Sequence, residues 1–243
     1  MERIAILILA HKNENQIKRL IRALSHDYVD IYIHLDSRFG SIENLKKDFS
    51  DSKQVFFIKN RQKCYLNTYS LVDAIFYLIE NAYHNNGYKY YILLSGQDYP
   101  IKPMNYIYNF LLNSYPREFL DYTKVESGTW CETWGRKVFN QYLRTRLFDV
   151  IGGRLYFSKI GSYLRAPIKL IIDNIETILY GKPIENLKKI GLSYSAGSMF
   201  WMLTDDSIKY ILDKFKNNDT KEIISIFKRT QTPEECFFSN YFS

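Results

Sequence analysis

Cysteine is scarce in this chain, and long apolar runs are missing from it. Its 243 residues hold 3 cysteines, Cys64, Cys131 and Cys236. They are widely spaced and form no C-x-x-C pair, so neither a disulfide framework nor a zinc site is indicated, and a reducing compartment fits. The longest purely apolar run, Ile4–Ala10, is far below the roughly 20 residues that a bilayer-crossing helix needs. A secretory leader would need a basic start and a cleavage site, and neither is seen. These absences lead us to expect a cytoplasmic chain with at most peripheral membrane association. The formal charge of +7 suits nucleic acid, an acidic membrane surface or a small anionic ligand. No helix-turn-helix, zinc-finger or RNA-binding aromatic pattern and no arginine-rich tail occurs, so nucleic acid is not an expected partner.

What is present is enough for one substantial core, with 46% hydrophobic residues, and a single domain over residues 1–243 is expected. Ile4–Ala10 reads as a buried parallel strand that runs straight into the polar segment beginning at His11. Ile17, Leu20, Ile21 and Leu24 then recur at helical spacing and predict a helix covering a sheet. Val29, Ile31, Ile33 and Leu35 alternate with Asp30, Tyr32, His34 and Asp36, a second strand ending on a carboxylate. A third strand is expected at 55–58, a helix from Ser70, and a fourth strand at 88–95. Strand and helix alternate three times, which predicts an α/β fold with a mainly parallel central sheet and helices on both faces. Such sheets bind ligands beyond the carboxyl ends of their strands. The middle, about 118–192, is less regular. Beyond it a strand at 198–204, a helix at 205–215 and a last helix opening at Thr232-Pro233-Glu234-Glu235 are expected.

The chemistry-bearing residues fall at those strand ends. Asp36 at a strand tip can accept hydrogen bonds from a base or ribose, or it can simply cap its loop. His11 lies in the same kind of position and has an equally good structural role, satisfied by backbone groups. Ser95-Gly96-Gln97-Asp98-Tyr99-Pro100 joins a glycine that permits close backbone approach to an aspartate and a proline-fixed turn. There Asp98 either meets a ligand or shapes an Asx-turn. No Asp-x-Asp pair occurs anywhere, and Asp98 alone offers too few hard oxygen ligands for a divalent ion, so no metal is expected. Thr232 and Glu235 have the spacing of a capping box, with Pro233 at the first helical position. Trp130 and Trp134 lie in a polar stretch and suit either a sugar-stacking platform or the core.

Five blocks, in order, resemble the motif series of the core-2/I-branching β-1,6-N-acetylglucosaminyltransferases, a family that includes peptide O-xylosyltransferases. They are Ile6-Leu7-Ile8-Leu9-Ala10-His11-Lys12, Ile31-Tyr32-Ile33-His34-Leu35-Asp36, Tyr69-Ser70-Leu71-Val72-Asp73-Ala74, Leu94 to Lys102, and Thr232-Pro233-Glu234-Glu235. The resemblance implies a GT-A-type nucleotide-sugar-binding fold with a nucleotide-binding part over 1–115 and an acceptor-binding and catalytic part over 116–243. It implies an inverting, metal-independent transfer of N-acetylglucosamine from UDP-GlcNAc to a sugar hydroxyl, with Glu235 as the base. UDP-xylose is the alternative donor, and a catalytically silent nucleotide- or glycan-binding domain is the alternative function. His11, Asp36, Gln97 and Asp98 become donor-site candidates. Gly197 and Ser198, in a Gly-Ser-aromatic segment, become acceptor-site candidates together with Glu126, Trp130, Trp134 and Arg136. UDP-sugar and a glycan or glycoconjugate acceptor are the implied partners, with no cofactor.

Two departures stand out. Leu66-Asn67-Thr68, ahead of the Tyr69-Ser70 block, differs from the aromatic and small residues usual there. The basic segment that family members place beyond the base to neutralise the diphosphate is not seen before Ser243, so the chain is read as lacking a C-terminal segment. Arg61, Lys63, Lys228 and Arg229 are the candidate substitutes. Eukaryotic members carry a membrane anchor ahead of the first strand; Met1 sits almost directly on it here, which favours a bacterial form.

Overall fold

Every residue of Ile4–Ala10 is buried, as an aliphatic run without polar alternation requires if both faces of its strand are covered. This strand, β1, is the centre of the sheet in a computed structural model that describes residues 2–85, 87–124, 175, 178–193, 195–216, 220–230 and 232–241. Around it the chain forms α1 (Glu14–Leu24), β2 (Val29–Leu35), α2 (Glu43–Asp48), β3 (Val55–Phe57), α3 (Tyr69–Asn85), β4 (Tyr90–Ser95), α4 (Met104–Ser114) and β5 (Phe119–Lys124). After the stretch outside the described residues come α5 (Pro183–Lys189), β6 (Ser195–Thr204), α6 (Asp205–Lys216) and α7 (Thr220–Arg229). Glu126, Trp130, Trp134 and Arg136, along with Cys131, lie outside the described residues.

The six strands are ordered β3-β2-β1-β4-β6-β5. β1 pairs in parallel with β2 and β4, β2 pairs in parallel with β3, and β4 pairs antiparallel with β6. The mixed α/β sheet is thus mostly parallel. Its order reverses between β1 and β4, and open α/β sheets place their ligand crevice outside the carboxyl ends at such a reversal.

One face of β1, β2 and β4 packs Ile4, Ile6, Ile8, Ile31, Ile33 and Ile92 against α1, α2 and α4. α1 contributes Ile17, Leu20, Ile21 and Leu24, the stripe its spacing predicts; each fully buried aliphatic side chain stabilises the fold by about 1.5–3 kcal/mol. Ala74, Ile75, Leu78, Ile79 and Ala82 of α3 are buried outside that cluster, as a helix covering the second face requires.

The alternating polar residues of β2 are all buried too. Each is matched by a partner, because a buried polar group without one is costly. Asp30 accepts from Arg3 Nε at 3.2 Å and from Tyr88 Oη at 2.6 Å, Tyr32 shares a 2.7 Å hydroxyl contact with Tyr88, and His34 Nε2 accepts the Gln62 N–H at 3.2 Å.

Contacts divide the chain into two compact units. The first holds Met1–Cys64, Asp73–Leu120 and Phe200–Asp213; the second holds Tyr65–Val72, Asp121–Met199 and Lys214–Ser243. The expected last helix is a correction: Pro233–Glu235 is a single 3-10 turn, entered from Thr232 in the left-handed region at φ 52°. Among the described residues no helix is long and apolar enough to cross a membrane.

Candidate functional site

In the first unit, the register that pairs Ala10 with Leu35 and Leu9 with Ser95 brings His11, Asp36 and the loop from Gly96 to one edge of the sheet. His11 is exposed there. Gly96 donates its N–H to Leu9 O at 2.7 Å. A Cβ at Gly96 would stand 2.7 Å from the Ala10 Cβ, so only glycine lets the loop leave β4 this close to the end of β1.

The loop then holds itself. Asp98 Oδ2 accepts the Ser95 N–H at 2.7 Å, the Gln97 N–H meets Ser95 Oγ at 3.1 Å, and Gln16 Nε2 donates to Asp98 O at 3.2 Å. Asp98 therefore takes the turn-shaping position. Gln97 is exposed. Among the described residues no three His, Cys, Asp or Glu side chains gather at metal-ligand spacing.

Asp36 is buried, and its carboxylate is filled from within the protein. Oδ1 accepts from Arg38 N and Nε at 2.8 Å, while Oδ2 accepts from an Arg38 terminal nitrogen at 2.7 Å and from Cys64 N at 2.9 Å. Burial alone raises this carboxyl, but the Arg38 guanidinium and the two amides outweigh it and hold the pKa at about 2. Four acceptances saturate the lone pairs of a carboxylate. What Asp36 presents outward is a cation, the half-exposed Arg38 guanidinium, fixed in plane by a two-pronged bond. Arg38 was not singled out from the sequence; its signal was the basic residue two places after a strand-end aspartate, where an Asx-turn returns the side chain to the carboxylate.

Arg61 is likewise engaged. Its guanidinium donates to the carbonyls of Leu35 at 3.0 Å, Asp36 at 2.8 Å and Gly40 at 3.2 Å, tying down the loop after β2. Lys63 is exposed. Burial lowers the pKa of His34, with Asp36 opposing and Arg61 reinforcing the shift. Burial pushes the Cys64 thiol up to about 12, which removes it as a nucleophile.

In the second unit, Glu235 is half-buried on its 3-10 turn. No side-chain cap bond forms from Thr232, so the capping-box geometry is not made. The turn is anchored instead through the residues on its C-terminal side. Phe237 is fully buried, 5.2 Å from the Phe227 ring and 5.8 Å edge-on to Tyr69. Asn240 Oδ1 accepts the Ser195 N–H at 3.0 Å, and its Nδ2 donates to the carbonyls of Ser195 at 2.7 Å and Cys236 at 2.6 Å. Ser239 Oγ adds a 3.1 Å bond to Ser195 O. The base candidate is thereby bolted to the start of β6, two residues before Gly197 and three before the exposed Ser198. Gly197 lies so near β5 that a Cβ there would fall 1.8 Å from Asp121 O.

Lys228 lies with its Nζ 5.5 Å from the centre of the Tyr69 ring, and Arg229 lies 4.4 Å over Tyr180. Glu234, adjacent to the base candidate, is buried, and its Oε1 accepts the Asn67 N–H at 3.0 Å. Neither Glu234 nor Asn240 carries a sequence signal of its own, since each is defined by a partner distant in the chain.

The chain is similar in sequence to known proteins. A mouse β-1,3-galactosyl-O-glycosyl-glycoprotein β-1,6-N-acetylglucosaminyltransferase 4 is 22% identical over 242 residues, 97% of this chain and 46% of the mouse protein. The chain thus spans about half the length of that curated relative. Among solved structures, S. aureus TarS 1-349 is similar over 49% of this chain and 34% of that one, at 9% identity and a TM-score of 0.36, too slight a likeness to argue from. The family described as Core-2/I-Branching enzyme (Branch) matches residues 4–150. With more than half of its length inside that match, the chain belongs to the core-2/I-branching enzyme family.

Proposed function

We propose that the protein is an inverting, metal-independent glycosyltransferase of GT-A type. It moves N-acetylglucosamine from UDP-GlcNAc to a hydroxyl of a glycan acceptor, in the β-1,6 branching sense. The observation that carries this reading is the placement of Glu235. It is a half-buried carboxylate on a turn locked to the start of β6, in the block where the family resemblance puts the base.

The chemistry asked of it is one proton transfer. The Glu235 carboxylate takes the acceptor hydroxyl proton as that oxygen bonds to the anomeric carbon, and the bond from that carbon to the diphosphate oxygen breaks with inversion. Offsetting the charge of the departing diphosphate is usually the largest catalytic contribution. We assign that role to the positive charges of exposed Lys63 and of the half-exposed Arg38 guanidinium on the donor side. His11, Gln97 and the backbone around Gly96 line the donor edge in this reading, and Gly197 and Ser198 the acceptor side. Asp36 and Asp98 act on the donor indirectly, by shaping the loops. The metal-free assignment rests on the missing Asp-x-Asp pair and on the commitment of Asp98 to Ser95 N–H.

A second reading, a silent nucleotide- or glycan-binding domain, draws on the same internal engagement of Asp36, Asp98 and Arg61. One experiment separates the two. The purified chain is incubated with UDP-GlcNAc, UDP-xylose or UDP-galactose, a galactose-terminated acceptor and EDTA, and UDP release is followed. Release with UDP-GlcNAc in chelator is the expected outcome. Preference for UDP-xylose would reassign the donor, activity only after manganese is added would end the metal-free reading, and UDP binding without turnover would favour the silent domain.

A further inference from the structure

The run Thr232-Pro233-Glu234-Glu235 offers two adjacent carboxylates, and their surroundings give them different work. Glu235 is half-buried, whereas Glu234 is only 3% exposed and its Oε1 accepts the backbone N–H of Asn67 at 3.0 Å, across 167 residues of sequence. A carboxylate is not buried cheaply, so the bond that holds it there is a structural commitment.

The segment receiving it is itself a closed device. Tyr65 N–H donates to Ser70 Oγ at 2.9 Å, Thr68 Oγ1 donates to Tyr65 O at 2.9 Å, and the Thr68 and Ser70 hydroxyls meet at 2.6 Å. Asn67 sits in the left-handed region at φ 60°, a conformation that asparagine tolerates and β-branched residues resist. Leu66, at the tip, is 73% exposed. This is the segment whose residues depart from the family pattern.

We propose that Glu234 is a positioning residue: through Asn67 it fixes the turn carrying Glu235 against the loop 65–68, so that the base and this loop face the substrate as one rigid piece. The proposal depends on Glu235 being the base. Displacing a catalytic group by about 1 Å can cost on the order of a hundredfold in rate, and a buried tether beside the base controls displacements of that size.

The test is a set of substitutions measured for kcat, acceptor KM, UDP affinity and thermal midpoint. Glu234→Ala should lower kcat by about ten- to a hundredfold, with UDP affinity and acceptor KM nearly unchanged. Glu234→Gln keeps an acceptor oxygen in the same place and should recover most of the rate. Asn67→Gly keeps both the N–H and the positive φ and should remain near wild type. Asn67→Val should reproduce the loss without touching Glu234, and combining it with Glu234→Ala should cost little more than either alone. Full rate in Glu234→Ala, equal damage from Gln and Ala, or additive losses in the double variant would each overturn the assignment. Glu235→Gln is measured beside them. If it alone abolishes turnover while Glu234→Ala is unaffected, only the positioning role falls; if Glu235→Gln keeps the wild-type rate, or no donor is turned over at all, the base falls and this proposal with it.

Discussion

A glutamate half-buried on a short turn and a histidine sealed inside a sheet respond to pH and substitution in opposite registers, one in rate and the other in stability. Glu235→Gln should reduce turnover by about two to four orders of magnitude while UDP affinity stays nearly constant, because the amide keeps the shape but cannot take the proton. Because glutamine keeps an acceptor oxygen in the same place, the same change should shift stability by no more than about 0.5 kcal/mol. Steady-state kinetics and urea unfolding on one preparation check both halves. His34 is held below its ordinary 6.5 by burial, so the unfolded chain binds this proton more readily than the folded one. Its contribution is complete above about pH 6.5 and is lost as the pH falls below that value. The Asp36 carboxyl, held at about 2 against an ordinary 3.8, contributes about 2 kcal/mol that persists above pH ~4 and disappears toward pH ~2. Unfolding midpoints across this range should fall in two stages. His34→Asn should flatten the first, and Asp36→Asn the second.

At the scale of elements, two glycines mark where backbones come closer than any side chain allows. Gly197→Ala would drive a methyl into Asp121 O and should cost about 3 kcal/mol through separation of β5 and β6. Ser198→Ala, on the exposed neighbour, should stay within about 0.5 kcal/mol. Circular-dichroism melts of the two variants give the comparison. The elements that sequence periodicity located well are those with a strong apolar signature. β1 matches its predicted span, β2 runs Val29–Leu35 and stops one residue short of the expected Asp36, α1 buries the predicted stripe, and α6 runs Asp205–Lys216 against an expected 205–215. Periodicity failed at the chain's end, where Thr232 adopts a positive φ and a proline-glutamate start that suits a helix stops after one turn. It also passed over α7, a short helix whose buried residues are Thr220, Ile226 and Phe227. So few buried positions in a short helix leave little pattern to read.

Considered as a whole molecule, the charge of +7 and the strand-end edge of the first unit together predict a ligand that is small and anionic. UDP at a hundredfold excess over its Kd should stabilise the folded state by about 2.7 kcal/mol, equivalent to a rise of roughly 5–10 °C in Tm for a chain this size. The shift should be equal in EDTA and in manganese, and a single-stranded oligonucleotide should produce none. A manganese-dependent shift would count against the metal-free assignment. The order of alternating strands and helices, the strand-end location of His11, Asp36 and Asp98, and the family motifs all follow from local pattern, because periodicity and turn chemistry act over a few residues. Tertiary structure alone decided which of those groups remain open to a ligand. Asp36 is saturated by Arg38 and by Cys64, 28 residues away, Arg61 is consumed by carbonyls more than 20 residues distant, and Glu234 is drawn inward by Asn67. A side chain's type sets what it can bond, but its partner is whatever the fold brings within about 3 Å, and no spacing along the chain encodes that distance.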